Sequence, residues 1–210
     1  MSRGKPMLVI GVTGGPGTGK STVAQMLGEF KAVVVDADRL AHEVMQPKKL
    51  AWRQVVQAFG EAITNPDGTI HRKKLAQRIF GDEAARRQLE AIVHPRVLRR
   101  VHERVDRLKK NKRVRVVVLD VPLLVEAGMN GMADLLVVVT ATPAVQHARL
   151  AARGWSEEEI ARRIGAQMEL SAKAALADVV IDTSDGLAAT RKQVGALWQM
   201  LAEHKPKRRG

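Results

Sequence analysis

The sequence predicts an α/β fold: a five-stranded, mostly parallel sheet layered between helices, with a helical lobe inserted into it and a smaller helical insert behind that. Short unbroken apolar runs rich in β-branched residues alternate with amphipathic stretches, the pattern of a parallel sheet with crossover helices. The interval between the second and third runs is too long for one crossover helix. A chain of 210 residues with 45% hydrophobic and 27% charged content is long enough to bury one good core.

In chain order, residues 7–12 read as the first buried strand and 32–36 as the second. Residues 114–120, 134–140 and 179–182 read as the third, fourth and fifth. Helical stretches follow at 19–29, in a long set over 38–110, at 143–153 and near 186–204. Within the long set lie turn signals at Gly60, at 65–68 and at Gly81–Asp82. A break is expected at His94–Pro95, because the residue before a proline is pushed out of the α region. These boundaries give a core of 1–38, 113–142 and 178–204, an inserted helical lobe of 39–112, a second helical insert of 143–177 and a basic disordered tail of 205–210.

The first strand leads into Gly14-Gly15-Pro16-Gly17-Thr18-Gly19-Lys20-Ser21, which fits the phosphate-loop pattern G-x-x-x-x-G-K-[ST] with a strand before it and a helix after. Glycines let the backbone wrap closely around a phosphate with N–H groups pointing inward, and the following helix N-terminus favours negative charge. Lys20 has the reach for the β and γ oxygens, and the Ser21 hydroxyl is a Mg²⁺ ligand by type. The loop therefore predicts a three-layer P-loop NTPase fold and a bound nucleoside triphosphate.

Composition narrows the chemistry further. The chain has no cysteine, which excludes disulfides, thiolate-bound zinc and thiol nucleophiles. No apolar run approaches the roughly 18–20 residues that cross a bilayer, and no secretory leader is evident, so a cytoplasmic chain without a membrane partner is expected. Net charge is +13, but residues 99–115 carry nine basic against two acidic side chains and residues 204–210 carry four basic and none acidic. Charge so concentrated reads as a solvated helix end plus a tail. With 3% aromatic residues and no tyrosine for stacking on bases, no nucleic-acid partner is expected, and a phosphorylated small molecule is a sufficient polyanion.

Phosphate loops serve kinases, GTPases and ATP-driven machines alike. A GTPase wants an Asn-Lys-x-Asp loop after a strand, whereas Asn111-Lys112 here is followed by Arg113-Val114 and precedes one. Length fits a small-molecule kinase. The second strand ends in Val35-Asp36-Ala37-Asp38, at the strand ends where parallel sheets bind ligands, so an acid there has the position to deprotonate an attacking hydroxyl. Asp38 equally suits the N-cap of the next helix. Asp120 ends the third strand where a magnesium-supporting acid sits, and Asp36 ends its own strand in the same way. An adenylate or UMP/CMP-type kinase shares Gly-Gly-Pro-Gly-x-Gly-Lys, but normally places Gly-Thr after the lysine, where this chain has Ser21-Thr22. A nucleic-acid-dependent ATPase is the alternative of another class, and its binding would have to survive moderate salt.

Beyond these residues the chain resembles the dephospho-CoA kinases from about Met7 to Leu201. The likeness rests on an ordered series. It comprises the phosphate loop with Thr13 before it, Val35-Asp36-Ala37-Asp38 with Ala41-His42, Phe59-Gly60, Asp67-Gly68 through Ile70 to Arg72 and Leu75, and Leu89-Glu90 with His94-Pro95. It continues with Asp120-Val121-Pro122-Leu123-Leu124 and Glu126, Gln146 with Arg149-Leu150 and Arg153, Arg163 with Gln167, and Ala177-Asp178. The resemblance implies transfer of a phosphoryl group from ATP, with Mg²⁺, to the ribose 3′-hydroxyl of dephospho-CoA, giving CoA and ADP.

It also implies a nucleotide-binding core, a helical CoA lobe and a lid. Asp38 would be the general base, and Lys20 and Arg149 would act on the transferred group. Gly15, Gly17, Thr18, Gly19, Lys20, Ser21, Thr22 and Arg153 would bind ATP, with Arg163 a further lid arginine. Arg72, His94, Pro122, Leu123 and Leu124 would face the acceptor, and Ser21 and Asp120 the metal. A monomer is expected. Three residues depart from the family pattern: Pro16 stands for a frequent isoleucine, Val125 for a phenylalanine and Thr183 for an asparagine that commonly follows Ile-Asp. Trp198 lies with Val194, Leu197 and Leu201 at helical spacing and reads as core packing.

Overall fold

The computed structural model describes residues 6–203. Of the expected elements, only the basic tail at 205–210 and the last residue of the final helix fall outside them. The chain divides into two compact units, one of residues 1–35 with 108–210 and one of residues 36–107.

The first unit holds a five-stranded sheet in the order β2-β3-β1-β4-β5. Strand β1 (Leu8–Gly14) is its centre, pairing in parallel with β3 (Val116–Asp120) and β4 (Leu135–Thr140), and β4 pairs in parallel with β5 (Val179–Asp182). Strand β2 (Val33–Asp36) lies beyond β3 at one edge. Every residue of β1 and β3 is buried, as expected of central strands covered on both faces and read from near-continuous apolar runs. One core cluster joins Leu8, Ile10 and Val12 of β1 to Val116 and Val118 of β3, to Val23, Met26 and Leu27 of helix α1 (Lys20–Glu29), and to Val194, Leu197 and Leu201 near the chain end. Trp198 packs on this cluster and stacks against Phe30, with ring centroids 5.5 Å apart, so it is a packing residue. Register sets Val12 of β1 opposite Asp120 of β3 and Gly14 opposite Val139 of β4, so the carboxyl ends of three strands meet at the start of the phosphate loop.

The second unit is helical: α2 (Ala37–Val44), α3 (Leu50–Phe59), α4 (Arg72–Ile79) and most of α5 (Glu83–Lys109). Its core is Val44, Ala51, Val55, Phe59, Ile63, Leu75, Ala85 and Val93, apolar positions recurring at helical spacing. The turn at 65–68 closes through a Thr64–Ile70 bridge, and the Trp52 indole N–H donates to the Gly68 carbonyl at 2.8 Å.

Helix α5 corrects one expectation, since it runs unbroken through Pro95. A proline within a helix removes one hydrogen bond and crowds the preceding turn. Arg96 braces that turn from the side: its guanidinium donates to the Ile92 carbonyl and to Gln54 Oε1 on α3, both at 2.5 Å. A tertiary tie therefore holds the helix across a local breaker. The N-cap of α2 is a second correction. Asp36, not Asp38, accepts from the backbone N–H of Arg39, at 3.1 Å, because the helix begins at Ala37 and Asp38 already lies in its first turn. The remaining helices are α6 (Pro143–Ala151), α7 (Glu157–Gly165), α8 (Leu170–Ala175) and α9 (Gly186–Glu203), all in the first unit.

Candidate active site

The phosphate loop needs glycine at two places for different reasons. At Gly14 an added Cβ would stand 2.6 Å from the Val139 carbonyl and 2.8 Å from Thr18 Oγ1, so β1 and β4 approach too closely for any side chain. Gly17 combines φ +75 with a Cβ position 2.7 Å from the Gln146 carbonyl, which excludes other residues on both conformation and space.

Donors from three directions hold the loop in its bend. Gln146 Nε2 donates to the Pro16 carbonyl at 2.7 Å, Arg149 Nη1 to that of Gly17 at 3.2 Å, and Thr183 Oγ1 to that of Thr18 at 2.7 Å. Within the loop, Thr18 Oγ1 donates to the Gly15 carbonyl at 2.8 Å. Four successive carbonyls, those of residues 15–18, are thus engaged by side chains. Proline at position 16 fits, since its carbonyl is the group in use.

Lys20 opens α1 and is buried, as is Asp120 at the end of β3. Their side chains form a hydrogen-bonded ion pair, so each charge taken from water has an opposite charge beside it. Ser21 is exposed in the first turn of α1 and Thr22 half-buried beside it. Arg149 is bound on two sides of its guanidinium: Nη1 also donates to Thr183 Oγ1 and Nη2 to the Thr183 carbonyl, both at 2.7 Å. Nearby, the Ser184 hydroxyl and backbone hold the Asp182 carboxyl below the usual carboxylate range, with a smaller contribution from Arg149. Arg153 is exposed just past α6, and the Arg163 guanidinium lies over the Trp155 ring, 4.1 Å from its centroid.

The turn after β3 divides the three residues expected to face an acceptor. Pro122 and Leu123 are partly exposed, while Leu124 is fully buried, its methyls filling the space that a side chain at Gly11 would need. Glu126 pairs with Lys173 at 2.8 Å.

In the helical unit, Asp38 is exposed in the first turn of α2, and His42 stands one helical turn further along the same face. Burial lowers the His42 pKa, and so does the Arg72 charge, against opposing contributions from Asp38 and Asp36. Arg72 is exposed at the start of α4, and His94 is exposed on α5. Thr183 and Lys173 received no role from the sequence. Thr183 was visible only as a departure from a pattern, and Lys173 has partners far along the chain that no local signal reports.

A lysine-bearing phosphate loop at the carboxyl end of the central strand of a parallel sheet defines the P-loop NTPase class, to which small-molecule kinases belong. A sequence profile of the family described as dephospho-CoA kinase matches residues 8–189. The dephospho-CoA kinase of Moorella thermoacetica is 44% identical over 94% of this chain and 94% of its own length. Among solved structures, a Thermus thermophilus protein superposes with a TM-score of 0.77 at 34% identity, covering 95% of this chain and 98% of that one. The dephospho-CoA kinase from Campylobacter jejuni shares the fold, with a TM-score of 0.70 at 22% identity over 93% of this chain and 97% of that one. The chain belongs to the dephospho-CoA kinase family. It is an ATP-using kinase of a small-molecule acceptor, acting in the last step of coenzyme A biosynthesis. Among the described residues no helix is long and apolar enough to cross a membrane.

Proposed function

We propose that the chain transfers the γ-phosphoryl group of ATP to the ribose 3′-hydroxyl of dephospho-CoA, with Asp38 as general base. The hydroxyl oxygen attacks phosphorus, its proton passes to the Asp38 carboxylate, the bond to the β–γ bridging oxygen breaks, and CoA and ADP result. Phosphoryl transfer has a loose transition state with charge spread over peripheral oxygens, so the protein acts chiefly by positioning and by cationic stabilisation. Lys20 serves the β and γ oxygens, Gly15, Gly17, Thr18, Gly19, Ser21 and Thr22 cradle the phosphates, and Arg149 stabilises the transferred group. Arg153 and Arg163 belong to the lid of residues 143–177. In the CoA lobe of residues 39–112, Arg72 and His94 serve the acceptor, with Pro122 and Leu123 from the turn after β3 and Leu124 as that turn's buried anchor.

Ser21 and Asp120 would hold Mg²⁺, which would supply positive charge to offset that of the triphosphate. A hydroxyl and a carboxylate are the hard oxygen donors that ion takes beside a triphosphate. Asp36 accepts the cap bond of α2 and Asp120 pairs with Lys20, so Asp36 stays the other candidate acid for that support. The enzyme is taken to work as a monomer in the cytoplasm, without a nucleic-acid partner.

The observation that carries this reading is the loop itself, leading into Lys20 and tied by Gln146, Arg149 and Thr183. A coupled ADP-release assay offering dephospho-CoA, AMP, CMP and shikimate in parallel tests it. Turnover confined to dephospho-CoA is expected, and preference for a nucleoside monophosphate would overturn the acceptor assignment.

A further inference from the structure

Lys173, on α8, is a fully buried lysine in an enzyme that handles phosphates, yet its ammonium is engaged by the protein itself. The ammonium donates to Gln167 Oε1 at 3.2 Å and to the Pro122 carbonyl at 3.3 Å, and forms an ion pair with Glu126 Oε1 at 2.8 Å. A charge taken wholly out of water is retained only where its partners satisfy it, and here they do. The same partners are shared outward. Glu126 Oε1 also accepts from the Met168 backbone N–H at 3.1 Å, and the Pro122 carbonyl also accepts from Thr13 Oγ1 at 2.8 Å, on the strand that leads into the phosphate loop. One buried cation thus joins the returning end of the second helical insert to both ends of the turn at 122–126.

We propose that Lys173 is a positioning residue for the acceptor: the pin that fixes the turn between Asp120 and Glu126 so that Pro122 and Leu123 stand ready for dephospho-CoA. This rests on the reading above that the turn faces the acceptor. The phosphate loop has its own ties in Gln146, Arg149 and Thr183, none of which passes through Lys173. Loosening the pin therefore acts more on the acceptor than on the nucleotide, whose loop keeps those separate ties.

The test is the paired variant Lys173→Met with Glu126→Gln, which removes both charges together and leaves neither stranded. Expected are a KM for dephospho-CoA raised about tenfold, a KM for ATP within about twofold of the parent, and faster amide exchange over residues 121–129 but not over 14–20. Glu126→Gln alone, which keeps the lysine and the shape of the site, gives a smaller shift in the same direction and serves if the pair does not fold. Exchange over 121–129 unchanged in a folded variant overturns the pin, and equal rises in both KM values reduce Lys173 to general packing. Leu123→Ala separates the underlying reading: an unchanged KM for dephospho-CoA there overturns the acceptor role of the turn, whatever the pin does.

Discussion

The phosphate loop and the first turn of α2 each follow the carboxyl end of a strand of the same sheet, and each carries a proposed reacting group, but they are built differently. Lys20 is buried and paired, and the carbonyls around it are bonded to side chains from distant parts of the sequence. Asp38 is exposed, and its turn is held by a single local cap from Asp36. The nucleotide side is thus organised in advance, which lowers the cost of ordering it when the triphosphate arrives. Asp38 keeps its water.

Removing the lysine tests the organised side most severely. Lys20→Ala should lower kcat by about 10³ with any acceptor, as loss of a principal transition-state donor does, and a steady-state assay with a thermal-unfolding control checks this. Activity near that of the parent would remove the phosphate-loop assignment. Thr183→Val tests whether the outer ties matter as much as the loop. It takes the donor from the Thr18 carbonyl and one acceptor from Arg149, a loss of about 1–3 kcal/mol. The KM for ATP should rise about tenfold while that for dephospho-CoA holds, and equal rises would show that the tie is general packing.

The smallest effect concerns the exposed side. Burial first, and then Arg72, hold the His42 pKa below the ordinary histidine value. The unfolded chain therefore binds this proton more readily than the folded one. Stability is full above the unfolded pKa, falls as pH drops through that value, and stops falling below the lowered folded one. An NMR titration of the ring should show the depressed midpoint. Arg72→Ala, by deleting one of the two lowering influences, should move it upward, and an unmoved midpoint would mean that Arg72 does not face His42.

What the sequence disclosed, and what it hid, follows the range of the interactions involved. The phosphate loop was legible because its glycines and lysine act within eight residues, and the strands because burial on both faces writes continuous apolar runs. Two local rules misjudged their surroundings. Pro95 signals a break that Arg96 and Gln54 prevent, and Asp38 looks like a cap at a helix that starts two residues too early for it. Thr183 and Lys173 were out of reach altogether, since Thr183 meets Thr18 across 165 residues and Lys173 meets Pro122 across 51.

The central claim is that nucleotide binding and proton removal reside in separately built parts of the chain. Asp38→Asn in full-length protein tests it most directly, with ATP affinity by equilibrium titration and phosphoryl transfer to dephospho-CoA in a single turnover. The affinity should match that of the parent while the rate falls by about 10². A rate close to the parent's, or a loss of ATP affinity that accounts for the fall, would contradict it.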